Sequence, residues 1–138
     1  ALDFEAACRA LAAGRRGRGV VVLVGDFLVE QELERGLRSV VGRGWDVFAL
    51  QVLAPEEIAP ASHGIVGDLR LIDCERGTET EVTVSEALLR EHRRRLEAHN
   101  ARWRELCTRL GVRQLSIDTS ADLPRLMLES LRSGGLLR

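Results

Sequence analysis

Two kinds of hydrophobic pattern run along this chain, and the first consists of continuous apolar stretches. Residues 20–24 are all aliphatic, and Gly25 and Asp26 follow them. Residues 47–53 form a second stretch that is mostly apolar. Continuous apolar strands of this length are typical of parallel sheets that helices cover on both faces. We therefore predict two parallel strands over 20–25 and 47–53, the first of them buried on both faces.

The second kind of pattern repeats every three to four residues and predicts amphipathic helices. A first helix over 3–13 has Asp3 as its N-cap, and a long helix over 85–110 has Ser85. A helix over 29–43 joins the two apolar strands, so this unit should be parallel with a right-handed crossover. The three apolar stripes contain Phe4, Cys8 and Leu11; Val29, Leu33, Leu37, Val40 and Val41; and Leu88, Leu89, Leu96, Trp103, Leu106 and Leu110.

The rest of the chain supplies a hairpin, one more strand and one more helix. Apolar and polar residues alternate over 69–71 and 80–84, and this period of two predicts an antiparallel hairpin with one solvated face. Residues 112–117 predict a third core strand, and 121–131 predict a last helix. The fold class is therefore α/β: a single domain with a short parallel sheet flanked by helices and an antiparallel hairpin insertion.

Composition narrows the classes of partner. The chain has 138 residues, of which 45% are hydrophobic, and this is enough for one domain with a core. Its net charge of -1 and its aromatic content of 4% argue against a nucleic-acid partner and a charged membrane surface. Cys8, Cys74 and Cys107 lie far apart and are typical of buried thiols in a reducing compartment. No apolar run is long enough to span a bilayer, so we expect a soluble, cytoplasmic chain without a membrane span.

The neighbours of the first strand raise a question of completeness. Strand 20–25 is the most apolar, as a central strand should be, yet the chain offers it one parallel neighbour, 47–53. A hydrophobic strand at the edge of a sheet promotes association. We therefore predict that residues 1–138 are the carboxyl-terminal portion of a larger domain and form a homo-oligomer through strand 20–25. The alternative is that the helix over 3–13 shields this edge within one chain.

Four stretches resemble the domain-of-unknown-function family fifty-eight, which is similar to von Willebrand factor A domains. They are 19–28, 51–57, 67–73 with its hairpin partner, and 136–138. The resemblance extends over residues 16–138. It implies a partial von Willebrand factor A-like, Rossmann-like fold. It also implies a non-enzymatic adaptor role, with a MoxR-type AAA+ ATPase as the protein partner.

The same resemblance implies where a divalent cation such as Mg²⁺ would bind. In von Willebrand factor A-like domains the site combines an Asp-x-Ser-x-Ser loop, a Thr from a second loop and an Asp from a third. Only the third position has a counterpart here, at Asp26. One carboxylate does not make a site, because hard cations need several oxygen ligands. We therefore expect no cofactor in this chain, and a magnesium site at Asp26 only in an intact longer protein.

Asp26, Phe27 and Leu28 are the residues that we predict to contact a protein partner. They follow strand 20–25 directly, and ligands of open α/β sheets bind outside the carboxyl ends of the strands. Asp26 is equally consistent with a cap of the following helix. Phe27 and Leu28 are also consistent with core positions. An alternative function is a metal-dependent hydrolase that uses Asp26 and Asp118, since both follow parallel strands.

Other chemically suggestive residues have structural interpretations. His92, His99 and Cys107 are two or more helical turns apart on the long helix, about 10 Å or more, which is too far for one zinc ion. We interpret them as core or boundary residues. Arginines 93–95 alternate with glutamates at helical spacing, which is typical of a solvated face with ion pairs.

Two loops complete the list of candidates. Ser62 and His63 lie in a predicted loop over 55–67, but adjacency in sequence does not indicate a catalytic pair. The segment 118–122 reads Asp-Thr-Ser-Ala-Asp and superficially resembles the metal loop. We interpret Asp118 as a cap of the last helix.

Overall fold

The computed structural model describes residues 3–14, 17, 19–28, 33–73, 77–120 and 122. Within them the chain forms helices and strands in the alternating order that an α/β domain requires. In chain order they are α1 (Phe4–Gly14), β1 (Val20–Gly25), α2 (Leu33–Val41), β2 (Asp46–Leu53), α3 (Pro55–Ile58), a 3₁₀ turn (Pro60–His63), β3 (Gly67–Ile72), β4 (Glu79–Val84), α4 (Glu86–Leu110) and β5 (Arg113–Asp118).

A three-stranded parallel sheet forms the centre of the domain. Its strand order is β1-β2-β5, and both neighbouring pairs are parallel. The register pairs Gly25 with Gln51 and Gln51 with Ser116, so all three strands end at one edge of the sheet. The predicted α/β class, with a short parallel sheet flanked by helices, is confirmed.

The inner face of this sheet carries the hydrophobic core. Alternate residues of a strand point to the same face, and Val47 and Ala49 of β2 are buried there beside the partly buried Val21 and Leu23 of β1. Helices α1, α2 and α4 pack against them. Their buried contributions to the core are Cys8 from α1, Leu33, Leu37 and Val40 from α2, and Trp103 and Cys107 from α4.

The outer face of β1 is exposed, which corrects the prediction that this strand is buried on both faces. Val20, Val22 and Val24 retain 60%, 43% and 66% of their accessible surface. Among the described residues β1 pairs with β2 alone and lies at the edge of the sheet. A continuous aliphatic run satisfies the requirements of a buried strand, but its burial depends on what lies beside it.

The predicted helix caps are present. Asp3 Oδ1 accepts a hydrogen bond from the amide of Ala6 at 2.8 Å, and Ser85 Oγ accepts one from the amide of Leu88 at 3.2 Å. Gly111 ends α4 in the left-handed conformation with φ of 71°. Side chains and glycine thus satisfy the groups that helix ends leave without partners. Val29, predicted on the apolar stripe of α2, lies outside the described residues.

The hairpin forms as predicted, as a second sheet. β3 and β4 pair antiparallel, and within the described residues this sheet shares no strand with the parallel one. Its polar face is held by Arg70, which forms ion pairs with Glu79 and Glu81 at 3.3 and 3.9 Å.

The predicted loop over 55–67 contains helical turns, which corrects that prediction. Pro55 occupies the first turn of α3, and Glu57 Oε2 accepts the amide of Ala54 at 2.7 Å. Proline at the first turn and an acidic residue at the third position both favour a helix start. The predicted last helix over 121–131 lies outside the described residues except for Asp122. Among the described residues, no helix is both long enough and apolar enough to cross a membrane.

Candidate functional site

The turn after β1 is formed by Asp26, Phe27 and Leu28 at the carboxyl edge of the sheet. Asp26 is exposed, and its Oδ1 accepts a hydrogen bond from the amide of Leu28 at 3.1 Å. This contact between residues two apart is the local bond that aspartate makes in turns. The described part of α2 begins at Leu33. The start of the helix that Asp26 was predicted to cap therefore lies outside the described residues.

Phe27 adopts a backbone conformation that is unusual for a bulky residue. Its φ is 54°, and it has the only positive φ among the described residues other than glycine. The left-handed region costs an L-residue about 1–2 kcal/mol, because Cβ approaches the following carbonyl oxygen. Such a conformation persists where surrounding contacts impose it.

Aromatic packing supplies one of those contacts. The Phe27 ring stacks on Trp103 with centroids 4.5 Å apart and an interplanar angle of 17°, and it meets Phe4 edge-on at 6.1 Å. Its side chain is only 6% exposed. The proposed partner contact at Phe27 is therefore corrected: of the two roles left open, the structure assigns it to the core. Leu28 remains 40% exposed, and Asp26 and Leu28 stay predicted contacts.

A buried glutamine supplies the second contact, and it is the residue that sequence reasoning missed. Gln51 lies in the central strand with none of its surface exposed. Its Nε2 donates to the carbonyl oxygen of Asp26 at 3.2 Å and to Asn100 Oδ1 of α4 at 3.0 Å. Its Oε1 accepts from Ser116 Oγ of β5 at 3.0 Å. The only signal in the sequence was a polar residue inside the apolar stretch 47–53.

The bonds of Gln51 satisfy a side chain that burial would otherwise penalise. An amide offers two N–H donors and an oxygen acceptor, and here both donors and the acceptor have partners. Leaving one such buried group without a partner costs about 1–3 kcal/mol. The glutamine therefore connects the turn after β1 to α4 and β5, instead of merely occupying space in β2.

Asp118 follows β5 and forms a separate turn. Its Oδ1 accepts the amide of Ser120 at 2.8 Å. The hydrogen bonds from the backbone and side chain of Ser120, and then the charge of His63, lower the pKa of Asp118 below its usual value. This local bond fits the predicted turn, although the helix that it would cap lies outside the described residues.

The two aspartates are held apart by the strand order. Because β2 lies between β1 and β5, Asp26 and Asp118 follow strands that are about 10 Å apart laterally. Carboxylate oxygens that share an ion lie within about 5 Å of each other, since metal–oxygen distances are about 2.0–2.6 Å. Among the described residues, no three His, Cys, Asp or Glu side chains are placed to hold a metal ion.

The two histidines and the one cysteine of α4 occupy structural positions. The ring Nε2 of His92 donates to the carbonyl oxygen of Glu57 at 2.7 Å, which ties the helix to α3. His99 and Cys107 are buried, and burial raises the pKa of the Cys107 thiol to about 12. Cys8 is also a buried free thiol, as predicted, whereas Cys74 lies outside the described residues.

The predicted solvated face of α4 is present. Glu91 forms ion pairs with Arg94 and Arg95 at 2.8 and 2.7 Å, and these lower the pKa of Glu91 to about 2. All three side chains are on the solvent side, where such pairs contribute little stability.

A cleft of about 350 Å³ opens between α1 and the edge strand. Its walls include Leu11 of α1, Val22 and Val24 of β1, and the turn residues Asp26 and Phe27. The helix therefore approaches β1, but the cleft between them leaves Val22 and Val24 exposed.

Fold and site together define a class of protein: an α/β domain whose parallel sheet carries an exposed carboxylate turn at its carboxyl edge. The profile of the family described as "Protein of unknown function DUF58" matches residues 1–104. The chain belongs to this family, as the resemblance indicated.

Mycobacterial proteins are among its relatives. The chain is 32% identical over 120 residues to the uncharacterized protein Rv1480 of Mycobacterium tuberculosis, a match that covers 87% of this chain and 37% of the relative. It is 30% identical over 138 residues to the uncharacterized protein MAV169 of Mycobacterium avium, covering 97% of this chain and 79% of the relative. The chain thus spans little more than a third of the length of Rv1480. No solved structure matches it significantly.

Proposed function

We propose that the chain is a non-enzymatic protein-interaction module that acts as a von Willebrand factor A-like adaptor. The observation that supports this is the turn at 26–28, which exposes Asp26 and Leu28 while Phe27 and Gln51 hold its backbone. A rigid turn with one charged and one apolar exposed side chain suits recognition of a protein surface.

The partner that we propose is a MoxR-type AAA+ ATPase, with the chain acting in the cytoplasm. Family membership supports the adaptor role, and the two buried thiols, Cys8 and Cys107, are consistent with a reducing compartment. In a longer protein that contains this chain, we propose that Asp26 contributes one oxygen ligand to Mg²⁺. Its exposed carboxylate at the sheet edge has the ligand chemistry that this ion prefers.

Asp26→Ala tests the proposed surface. In a binding assay with the longer protein and a MoxR-type ATPase, we expect the substitution to reduce affinity by about tenfold, equivalent to ~1.4 kcal/mol. Asp46→Ala is the matched control, because Asp46 is also exposed but begins β2 at the opposite edge of the sheet. Equal affinity of the Asp26→Ala and Asp46→Ala variants would refute the surface.

We also propose that the chain forms a homo-oligomer through β1. Val20, Val22 and Val24 present an apolar surface beside an edge strand, and such edges pair with other chains. Light scattering should show a dimer or larger species, and Val22→Lys should convert it to monomer because a buried lysine disfavours pairing. Val66→Lys, at an exposed valine before β3, is the control. A monomer at high concentration would instead favour shielding of the edge by α1.

The metal-dependent hydrolase remains the alternative activity, and no observation on the described residues favours it. Asp26 and Asp118 follow strands separated by β2, and each carboxylate bonds within its own turn. A hydrolase of this kind would require a further set of ligands beside one of them.

A further inference from the structure

We propose that Gln51 is a positioning residue, which fixes the turn at 26–28 in the conformation that a partner recognises. This inference rests on the proposed adaptor function. It adds to that function the buried side chain that positions the exposed residues Asp26 and Leu28. Gln51 itself has no exposed surface, so its effect on a partner would pass through the turn.

The first step is the place of the Asp26 carbonyl in the sheet. The last residue pair of the β1–β2 ladder is Gly25 with Gln51. The carbonyl of Asp26 lies one residue beyond that pair, and the Gln51 side chain reaches it at 3.2 Å. The glutamine amide thus continues hydrogen bonding from β2 to the chain after β1 has ended.

The second step connects this bond to the backbone of Phe27. The Asp26 carbonyl belongs to the peptide unit that joins Asp26 to Phe27, and φ of Phe27 is the rotation between that unit and its own Cα. A bond that fixes the carbonyl therefore restrains the φ of 54° at Phe27. Since this value is unfavourable for phenylalanine, the conformation depends on such restraints.

The third step is that Gln51 is itself held from both sides. Asn100 Oδ1 of α4 accepts its second N–H at 3.0 Å, and Ser116 Oγ of β5 donates to its Oε1 at 3.0 Å. With both ends of the amide bonded, the side chain has one orientation. These bonds connect the turn to α4 and β5 as well as to the neighbouring strand β2.

Gln51→Leu tests this role, because it replaces the amide with an apolar side chain one atom shorter and removes all three bonds. Gln114→Leu is the matched control: Gln114 donates to Ser116 Oγ at 2.6 Å, so it reaches Gln51 only through that hydroxyl, and the Ser116 bond to Gln51 Oε1 and both Nε2 bonds of Gln51 stay in place. The first measurement is hydrogen exchange of the Leu28 amide in the isolated chain, since this amide donates to Asp26 Oδ1. We expect about tenfold faster exchange in Gln51→Leu and little change in Gln114→Leu.

The second measurement is affinity for the MoxR-type ATPase at a temperature where each variant is folded. We expect Gln51→Leu to bind about tenfold more weakly, corresponding to ~1.4 kcal/mol, and Gln114→Leu to bind as the wild type. If Gln51→Leu lowers the melting temperature while both Leu28 exchange and affinity stay unchanged, its role is structural and the proposal is overturned.

Two further arms keep the result decisive. If Gln51→Leu fails to fold, Asn100→Ala removes one of the two acceptors and should give the same pattern at about threefold. If the wild type binds no ATPase, the proposed adaptor function fails, while Leu28 exchange still reports whether Gln51 positions the turn. Unchanged Leu28 exchange in the folded variant would overturn the positioning role independently of any partner.

Discussion

The parallel sheet ends in two aspartate turns with the same local chemistry and different surroundings. After β1, Asp26 accepts the amide of Leu28, and after β5, Asp118 accepts the amide of Ser120. The middle residue of the turn, Phe27 in the first and Thr119 in the second, has different surroundings in the two turns. Phe27 is buried in an aromatic cluster, whereas Thr119 is exposed and donates its amide to the Leu53 carbonyl at 3.0 Å.

We infer from this difference that contacts with the core, in addition to the local hydrogen bond, restrain the turn after β1. The turn after β5 is restrained by its local hydrogen bond and by the backbone bond from Thr119 to Leu53 at the end of β2. The turn after β1 is restrained by a stacked ring and by a buried amide, both beneath an exposed carboxylate. We therefore consider the turn after β1 the better recognition site, since a pre-organised surface loses less entropy on binding.

Removing the buried ring should produce the largest effect. Phe27→Ala deletes the stack on Trp103 and leaves a cavity, so we expect it to lower the free energy of unfolding by ~3–5 kcal/mol. Thr119→Ala, at the corresponding position of the other turn, should change it by less than about 0.5 kcal/mol. Denaturant unfolding of both variants measures the difference. Similar losses would mean that the two turns are equally anchored.

A glycine on α2 tests the same cluster from a distance. A Cβ at Gly36 would lie 2.7 Å from two ring carbons of Phe4, the residue that meets Phe27 edge-on. Gly36→Ala should therefore displace the Phe4 ring and destabilise the fold by ~1–3 kcal/mol.

The matched control for this substitution is Gly14→Ala. Gly14 lies in α1, and a Cβ there would meet nothing within 4 Å. Thermal unfolding of both variants, with the Leu28 and Ser120 amides followed by exchange, provides the measurement. We expect Gly36→Ala to loosen the turn after β1 and to spare the one after β5. Faster exchange at Ser120 alone would contradict this.

The smallest expected effect is the pH dependence of the turn after β5. Ser120 and His63 lower the pKa of Asp118 in the folded chain. The ionised carboxylate therefore contributes stability above the pKa of an unfolded aspartate, about 3.9. That contribution is lost as the pH falls through the lower folded value.

Urea unfolding of wild type and Asp118→Asn between about pH 2 and 6 tests this sign. The variant should be less stable at the upper end, and the difference should shrink on acidification. Asp46→Asn is the control for the change of charge. A difference that grows as the pH falls would contradict the assignment.

Much of the fold could be predicted, because it depends on local patterns. The caps Asp3 and Ser85, the end of α4 at Leu110 and the alternation of β3 and β4 all appear at the predicted places. Each depends on residues a few positions apart, whose geometry a helix or hairpin fixes in advance. The turn at α3 was missed, although Pro55 and Glu57 carried its signal.

The sequence predicts a position for the candidate site but not the contacts that surround it. Its place after strand 20–25 followed from the rule that sites lie at the carboxyl ends of parallel strands. The assignment of Phe27 to the core required the location of Trp103, which is 76 positions away in the chain. The role of Gln51 required the positions of Asn100 and Ser116, and no local pattern links those residues.

The sequence by itself determined the strands and the longer helices, the starts of α1 and α4, and which residue types stand at the sheet edge. These depend on side-chain periodicity and on hydrogen bonds between close neighbours. The tertiary structure alone decided that β2 separates Asp26 from Asp118, that one face of β1 is exposed, and that a buried glutamine holds the turn. Burial and long-range bonding depend on which segments meet, and that is settled only when the whole core packs.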